Sequence, residues 1–126
     1  MAGHLNPKIL GELTVPDLKS AFVELTQDFV RSRDVERAQP SKQKKILEKR
    51  DLVILEIKKR ALDGEGLIIS LSEHDDPQVR LAVVRLLKNI DRDLAIRVTR
   101  ELSTLPGVVG FSAERVLERL IQENGT

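Results

Sequence analysis

The side chains best suited to chemistry are concentrated in one short stretch, residues 72–90, which reads SEHDDPQVRLAVVRLLKNI. His74, Asp75 and Asp76 offer an imidazole and two carboxylates, a set of donors that could hold a divalent cation. A metal site needs further ligands at fixed spacing, however, and the chain has no HxxxH, HExxH or Cys cluster. The other histidine, His4, is remote in sequence. We therefore predict no metal site.

The same residues have a structural explanation, which we prefer. Asp75 or Asp76 can cap the exposed amides at the start of a helix, and Pro77 suits the first turn, where its missing N–H is not needed. Arg80 then becomes the partner of an acidic group on a neighbouring helix. We interpret Asp76, Pro77 and Arg80 as a structural turn.

Sequence motifs of the common enzyme classes are absent from the printed sequence. It has no GxxxxGK[ST], GxGxxG or GxSxG pattern, so neither a phosphate-binding loop nor a nucleophile elbow is predicted. It has no Cys, which excludes a disulfide framework and a thiol nucleophile. Gly64, Gly66, Gly107 and Gly110 are interpreted as helix stops and turns. We expect a protein that is not an enzyme, with no catalytic residue and no cofactor.

Positive charge is concentrated in residues 41–62, which carry 8 basic and 3 acidic residues although the whole chain has a net charge of +1. Lys42, Lys45 and Lys49 follow helical spacing, so this face could contact nucleic-acid phosphates. Against this, acidic residues interrupt the run, and no Tyr or Trp is present to stack on bases. The basic residues that we single out as candidate contacts are Lys42, Lys45, Lys49, Lys58 and Arg60.

Composition favours an all-α domain. The 126 residues are 40% hydrophobic and 33% charged, with three Phe and no Tyr or Trp, so the core is supplied by Leu, Ile and Val. We predict an N-terminal arm over 1–14, a single domain over 15–123 and a C-terminal tail over 124–126. The start lacks a secretory pattern and no run is long enough to span a membrane, so we expect a cytoplasmic protein.

Hydrophobic spacing predicts about six helices. The first covers 16–33, and the second covers 41–62 and ends at Asp63 and Gly64. Residues 65–71 could form a two-turn helix or a buried strand, and the helix is favoured. The next helix has the clearest apolar stripe, made by Val79, Ala82, Val83, Leu86, Leu87 and Ile90.

Two further helices complete the prediction. One begins at Asp91 and continues to 103, and the last is capped by Ser112. The segment between them, 105–111, is predicted to be a loop.

The sequence DDPQVRLAVVRLL resembles the inner part of a HEAT-type helical repeat. The matching residues are Asp76, Pro77, Val79, Arg80, Ala82 and Leu86. His74 stands where such repeats often have an Asp. The resemblance implies a short right-handed α-solenoid of antiparallel helix pairs, here 65–90 and 91–123.

Residues 15–120 also resemble a small bacterial family catalogued as a domain of unknown function. This second resemblance supports the fold and implies no activity. The HEAT-like resemblance favours an interaction module that binds another protein, and a toxin is one possible partner, because some small bacterial HEAT-like proteins are antidotes. The candidate contact regions are the helix 41–62 and the segment 105–111, with Val108, Val109 and Phe111 expected to stay partly exposed. Nucleic-acid binding through 42–60 is the alternative, and no membrane partner is expected.

Overall fold

A computed structural model describes residues 5–33 and 40–124. His4, residues 34–39 between the first two predicted helices, and most of the predicted tail lie outside these residues. The described residues form seven α-helices and no β-strand, which confirms the all-α prediction and rejects a strand at 65–71. The helices are α1 (Pro7–Gly11), α2 (Val15–Arg33), α3 (Pro40–Lys59), α4 (Ala61–Leu71), α5 (Pro77–Leu87), α6 (Arg92–Ser103) and α7 (Gly107–Asn124).

The chain divides into two compact units, the first ending at Leu67 and the second beginning at Ile68. In the first unit, α3 packs against both α1 and α2. The core side chains of this unit are Leu10, Leu18, Phe22, Leu25, Val53 and Ile57, each no more than 1% exposed. Their three- and four-residue spacing within α2 and α3 explains why these segments fold as helices.

In the second unit, α6 packs along both α5 and α7, and α5 also contacts α7. The core side chains here include Val79, Val83, Val84, Leu87, Ala95, Leu102 and Ala113. Packing of α6 on α7 agrees with the pairing predicted within 91–123. Both helices have a clear apolar face, and burial of those faces accounts for their association.

Within the predicted N-terminal arm, residues 7–11 form helix α1. Pro7 occupies the first turn, and the Asn6 side-chain oxygen accepts the backbone N–H of Ile9 at 3.0 Å. Leu10 is fully buried. The cap and the buried Leu10 side chain both contribute to the stability of this short helix, which packs against α3.

The second predicted helix ends earlier than expected, at Lys59. The break between α3 and α4 lies at Ala61, which has a left-handed backbone with φ 50°. Asp63 and Gly64 lie inside α4. The Asp-Gly pair was the better local signal for a helix stop, but packing of α4 against the end of α3 places the turn two residues earlier.

The segment 105–111 is mostly helical, because α7 begins at Gly107. Gly107 has φ 77°, a conformation that favours glycine, and it therefore makes the turn into the helix. Ser112 lies within α7 and does not cap it. Gly66 and Gly110 are likewise inside helices, so only Gly107 of the four glycines forms a turn as predicted.

The buried face of α5 is rotated from the predicted stripe. Val84 is buried, whereas Ala82, Leu86 and Ile90 are only partly buried. The reason is that α5 contacts both α6 and α7, which covers a different arc of its surface from the one that a single neighbour would cover.

Candidate functional site

The turn before α5 is formed by Asp76 and Pro77. The Oδ1 atom of Asp76 accepts the backbone N–H of Gln78 at 2.9 Å, and Pro77 takes the first helical position. These contacts provide the cap that the sequence predicts. Among the described residues there is no group of three or more His, Cys, Asp or Glu side chains placed to hold a metal ion.

His74 has a defined role in this turn. Its Nδ1 atom accepts the backbone N–H of Asp76 at 3.0 Å, two residues further along the chain. An Asp or Asn side-chain oxygen makes the same contact in an Asx-turn. The His74 ring nitrogen therefore supplies the acceptor that an Asp or Asn side chain would supply in such a turn.

Replacing His74 tests this role. We expect His74→Ala to lower the free energy of unfolding by about 1 kcal/mol, since one turn hydrogen bond is lost. His74→Asn restores an acceptor at the same position and should cost less than about 0.5 kcal/mol. Urea denaturation followed by far-UV circular dichroism measures both values. Equal losses for the two variants would show that the acceptor is unimportant.

Arg80 does not have the acidic partner that the sequence suggests. Its Nε atom is buried without a hydrogen-bond partner, and no ion pair of Arg80 is found among the described residues. Arg80 lines a groove of about 310 Å³ together with Glu73, Arg97 and Glu101. The opposite charges in this groove balance each other, so it has no net preference for an anion or a cation.

The basic residues of α3 do not form a single face. At about 100° per residue, Lys42, Lys45 and Lys49 lie within about 60° of one another around the helix axis. Lys58 lies about 180° from Lys49 on the same helix. Lys42, Lys45 and Lys58 are exposed, and Lys49 is half-buried. Only the first three lysines are therefore placed to contact one phosphate backbone.

Arg60 holds the first unit together. Its Nε atom donates to Glu56 Oε2 at 2.8 Å, and Nη2 donates to the carbonyls of Leu10 at 3.1 Å and Leu13 at 2.7 Å. Glu56 is itself only 8% exposed. These contacts attach the region of α1 to the end of α3, so the Arg60 guanidinium is used within the fold and is a poor contact for a ligand.

An exposed apolar patch lies on the first turns of α7. Val108 is 63% exposed and Phe111 is 60% exposed, while Val109 is half-buried. The guanidinium carbon of Arg115 lies 5.7 Å from the centroid of the Phe111 ring, within the range of a cation–π contact. Val108, Phe111 and Arg115 lie within about 60° of one another around the helix axis, and we call these three residues the α7 patch.

The sequence predicted that Val108 and Phe111 are exposed, but it did not identify Arg115 as their neighbour on the helix surface. Phe111 and Arg115 are four residues apart, a spacing that makes two side chains neighbours only if both residues are in one helix. A loop prediction for 105–111 concealed this spacing.

No protein-family model, curated protein sequence or solved structure matches this chain. Within the described part of the chain, no helix combines the length and the apolar character needed to cross a membrane. The geometry of the chain's own residues is therefore the basis for a functional proposal.

Proposed function

We propose that the chain is a non-enzymatic module that binds another protein, and that the α7 patch is the contact surface. The observation that carries this proposal is the exposure of Val108 and Phe111 on adjacent positions of one helical face. Isolated exposed apolar residues are common, but a neighbouring pair with an Arg stacked on the aromatic ring has the composition of an interface centre. Burial of this pair by a partner would remove apolar area from water.

A HEAT-like arrangement of the helices belongs to the same proposal. It is supported by the Asp76–Pro77 cap of α5 and by the acceptor that His74 supplies in the place of an Asp. Helical repeats of this kind commonly present one layer of helices to a protein partner.

Nucleic-acid binding through α3 is the second candidate. It is supported by three lysines on one face, Lys42, Lys45 and Lys49, two of which are exposed. The distribution of Lys58 and Lys59 around the helix, and the use of Arg60 within the fold, limit the number of phosphate contacts. Protein binding is the better-supported candidate for this reason.

The proposal is tested with a double substitution in the α7 patch, Val108→Asp and Phe111→Asp. Both positions lie in the first two turns of α7, where a carboxylate is favourable to the helix dipole, so folding should be retained. The control is Leu55→Asp with Leu62→Asp, because these leucines are also exposed, at 55% and 80%, but lie elsewhere.

The measurement has two steps. A partner is first captured from the native host by cross-linking to the full chain and identified by mass spectrometry, and its Kd for the purified chain is then determined by calorimetry. We expect the patch variant to weaken binding by about a hundredfold and the control to change it by less than about threefold. Equal effects of the two variants would contradict the proposal.

The second candidate predicts a different result. If three lysines contact phosphates, binding to a labelled DNA duplex should fall with salt with a log–log slope of about −3. It should also be lost when Lys42, Lys45 and Lys49 are replaced by Ala. Failure to bind DNA at low salt excludes this candidate.

A further inference from the structure

A groove with a basic rim lies between α5 and α7 in the second unit. It has a volume of about 330 Å³ and is lined by Val84, Arg85, Lys88, Val116, Arg119, Leu120 and Glu123. The floor of the groove is apolar, but Val84 and Leu120 are only 1% and 3% exposed, so the half-buried Val116 supplies most of its accessible apolar surface. Three cations and one carboxylate stand around this floor. None of these residues belongs to the α7 patch.

The single carboxylate of the groove is already engaged. Glu123 Oε2 lies 3.3 Å from Lys88 Nζ and 3.9 Å from the Nη1 atom of Arg92, the first residue of α6. Arg92 also donates from Nη2 to the carbonyl of Leu120. These contacts fix Glu123 and Lys88 at one end of the groove. The net positive charge is therefore left to the two remaining arginines.

Arg85 and Arg119 are both exposed. Among the described residues, no carboxylate lies within 4.0 Å of either guanidinium. Arg85 lies in the last turn of α5, where the helix dipole stabilises a positive charge. Arg119 is outside the last turn of α7 and does not have this stabilisation. In the described part of the chain, two arginines from different helices thus face one groove without an acidic partner.

The positive charge of this groove differs from the net charge of the surrounding part of the chain. Residues 63–126 carry 8 basic and 11 acidic residues, so this part of the chain is acidic overall. An acidic ligand would be repelled by most of this surface and attracted to the groove, where Arg85, Lys88 and Arg119 are gathered. The floor also favours a ligand with an apolar side chain, because an inorganic anion would leave the accessible surface of Val116 uncovered.

We infer that the α5–α7 groove binds an acidic, amphipathic segment of a partner protein. An apolar side chain of that segment packs on Val116, and its carboxylates pair with Arg85 and Arg119. A volume of about 330 Å³ is at the small end of ligand sites, which fits one or two side chains. This goes beyond the proposed function, because it concerns a second surface and states the charge of the ligand.

The test uses defined peptides and the purified full chain. The probe is a fluorescein-labelled, capped 15-residue helical peptide with Leu at three- and four-residue spacing and Glu between the leucines. One comparison peptide has Lys in place of every Glu, and a second has Ala in place of every Leu. We expect saturable binding of the acidic peptide in fluorescence anisotropy, and at least about tenfold weaker binding of both comparison peptides.

Charge-reversal variants locate the binding site. Arg85→Glu with Arg119→Glu should weaken the acidic peptide by at least about tenfold. The matched control, Arg97→Glu with Arg100→Glu, changes the charge equally at exposed arginines outside the groove and should weaken it by less than about threefold. The α7 patch variant should bind the peptide normally, so failure of one proposal does not imply failure of the other.

Three outcomes would overturn the inference. Equal losses for the two charge-reversal variants would indicate non-specific attraction. Full binding of the peptide that lacks Leu would show that the apolar floor is not used. Tighter binding of a 15-nucleotide single-stranded DNA, lost in the Arg85→Glu/Arg119→Glu variant, would identify a phosphate site in place of a peptide site.

Discussion

Leu87→Ala is expected to lower the free energy of unfolding of the second unit by about 3–4 kcal/mol. Leu87 is fully buried on α5, which packs between α6 and α7. Truncation removes the transfer free energy of the side chain and leaves a cavity. The surrounding helices are attached on both sides and can close that cavity only in part.

The neighbouring residue provides a matched control. Leu86 has the same side chain and lies in the same turn of α5, but it is only partly buried. We expect Leu86→Ala to cost less, about 1 kcal/mol, because part of its side chain already contacts water. Urea denaturation followed by far-UV circular dichroism measures both variants, and amide exchange of Val79 and Val83 assigns the change to the second unit. Similar losses for the two variants would mean that the buried face of α5 is the stripe predicted from sequence, which includes both leucines.

The helices themselves could be predicted from hydrophobic spacing. Apolar residues of α2, α5 and α6 recur at three- and four-residue steps, and Asp76 and Asp91 give clear caps for two of these helices. Spacing does not determine the number of neighbours, however. The buried arc of α5 depends on contacts with both α6 and α7, which are formed by residues 92–103 and 107–124.

The ends of the helices were predicted less well because a glycine can either make a turn or allow close packing inside a helix. Gly107 has a left-handed backbone and makes a turn, whereas Gly64 and Gly110 lie in helices and allow close backbone approach. Sequence alone does not separate these uses. Ala61 is a non-glycine residue that makes a turn, since it has the left-handed backbone conformation that glycine usually adopts.

The candidate sites depended even more on tertiary structure. Arg60 and Lys58 appear equivalent in sequence, but Arg60 donates to two carbonyls of the α1 region and Lys58 is exposed. Arg85 and Arg119 are 34 positions apart and come together only because α5 contacts α7. The count of charges along the sequence therefore identified α3 as the candidate basic surface and did not identify the α5–α7 groove.

Gly64→Ala is expected to destabilise the first unit by about 3 kcal/mol. A Cβ atom at Gly64 would lie 2.0 Å from the carbonyl oxygen and 3.0 Å from the carbonyl carbon of Ile57. Both atoms belong to the backbone of α3, and the same oxygen accepts the N–H of Arg60 at 3.1 Å. The clash cannot be relieved by rotating a side chain, so the start of α4 must move away from α3.

Gly66→Ala is the control for this prediction, and it should have the opposite sign. Gly66 is in the same helix, and a Cβ atom there would meet no other atom within 4 Å. Alanine has the higher helix propensity, so Gly66→Ala should stabilise the unit by about 0.5–1 kcal/mol. Amide exchange of Val53 and Ile57, together with urea denaturation, measures both effects. If the two substitutions changed stability by similar amounts, Gly64 would not be the point of close approach between α3 and α4, and the break at Ala61 would need another cause.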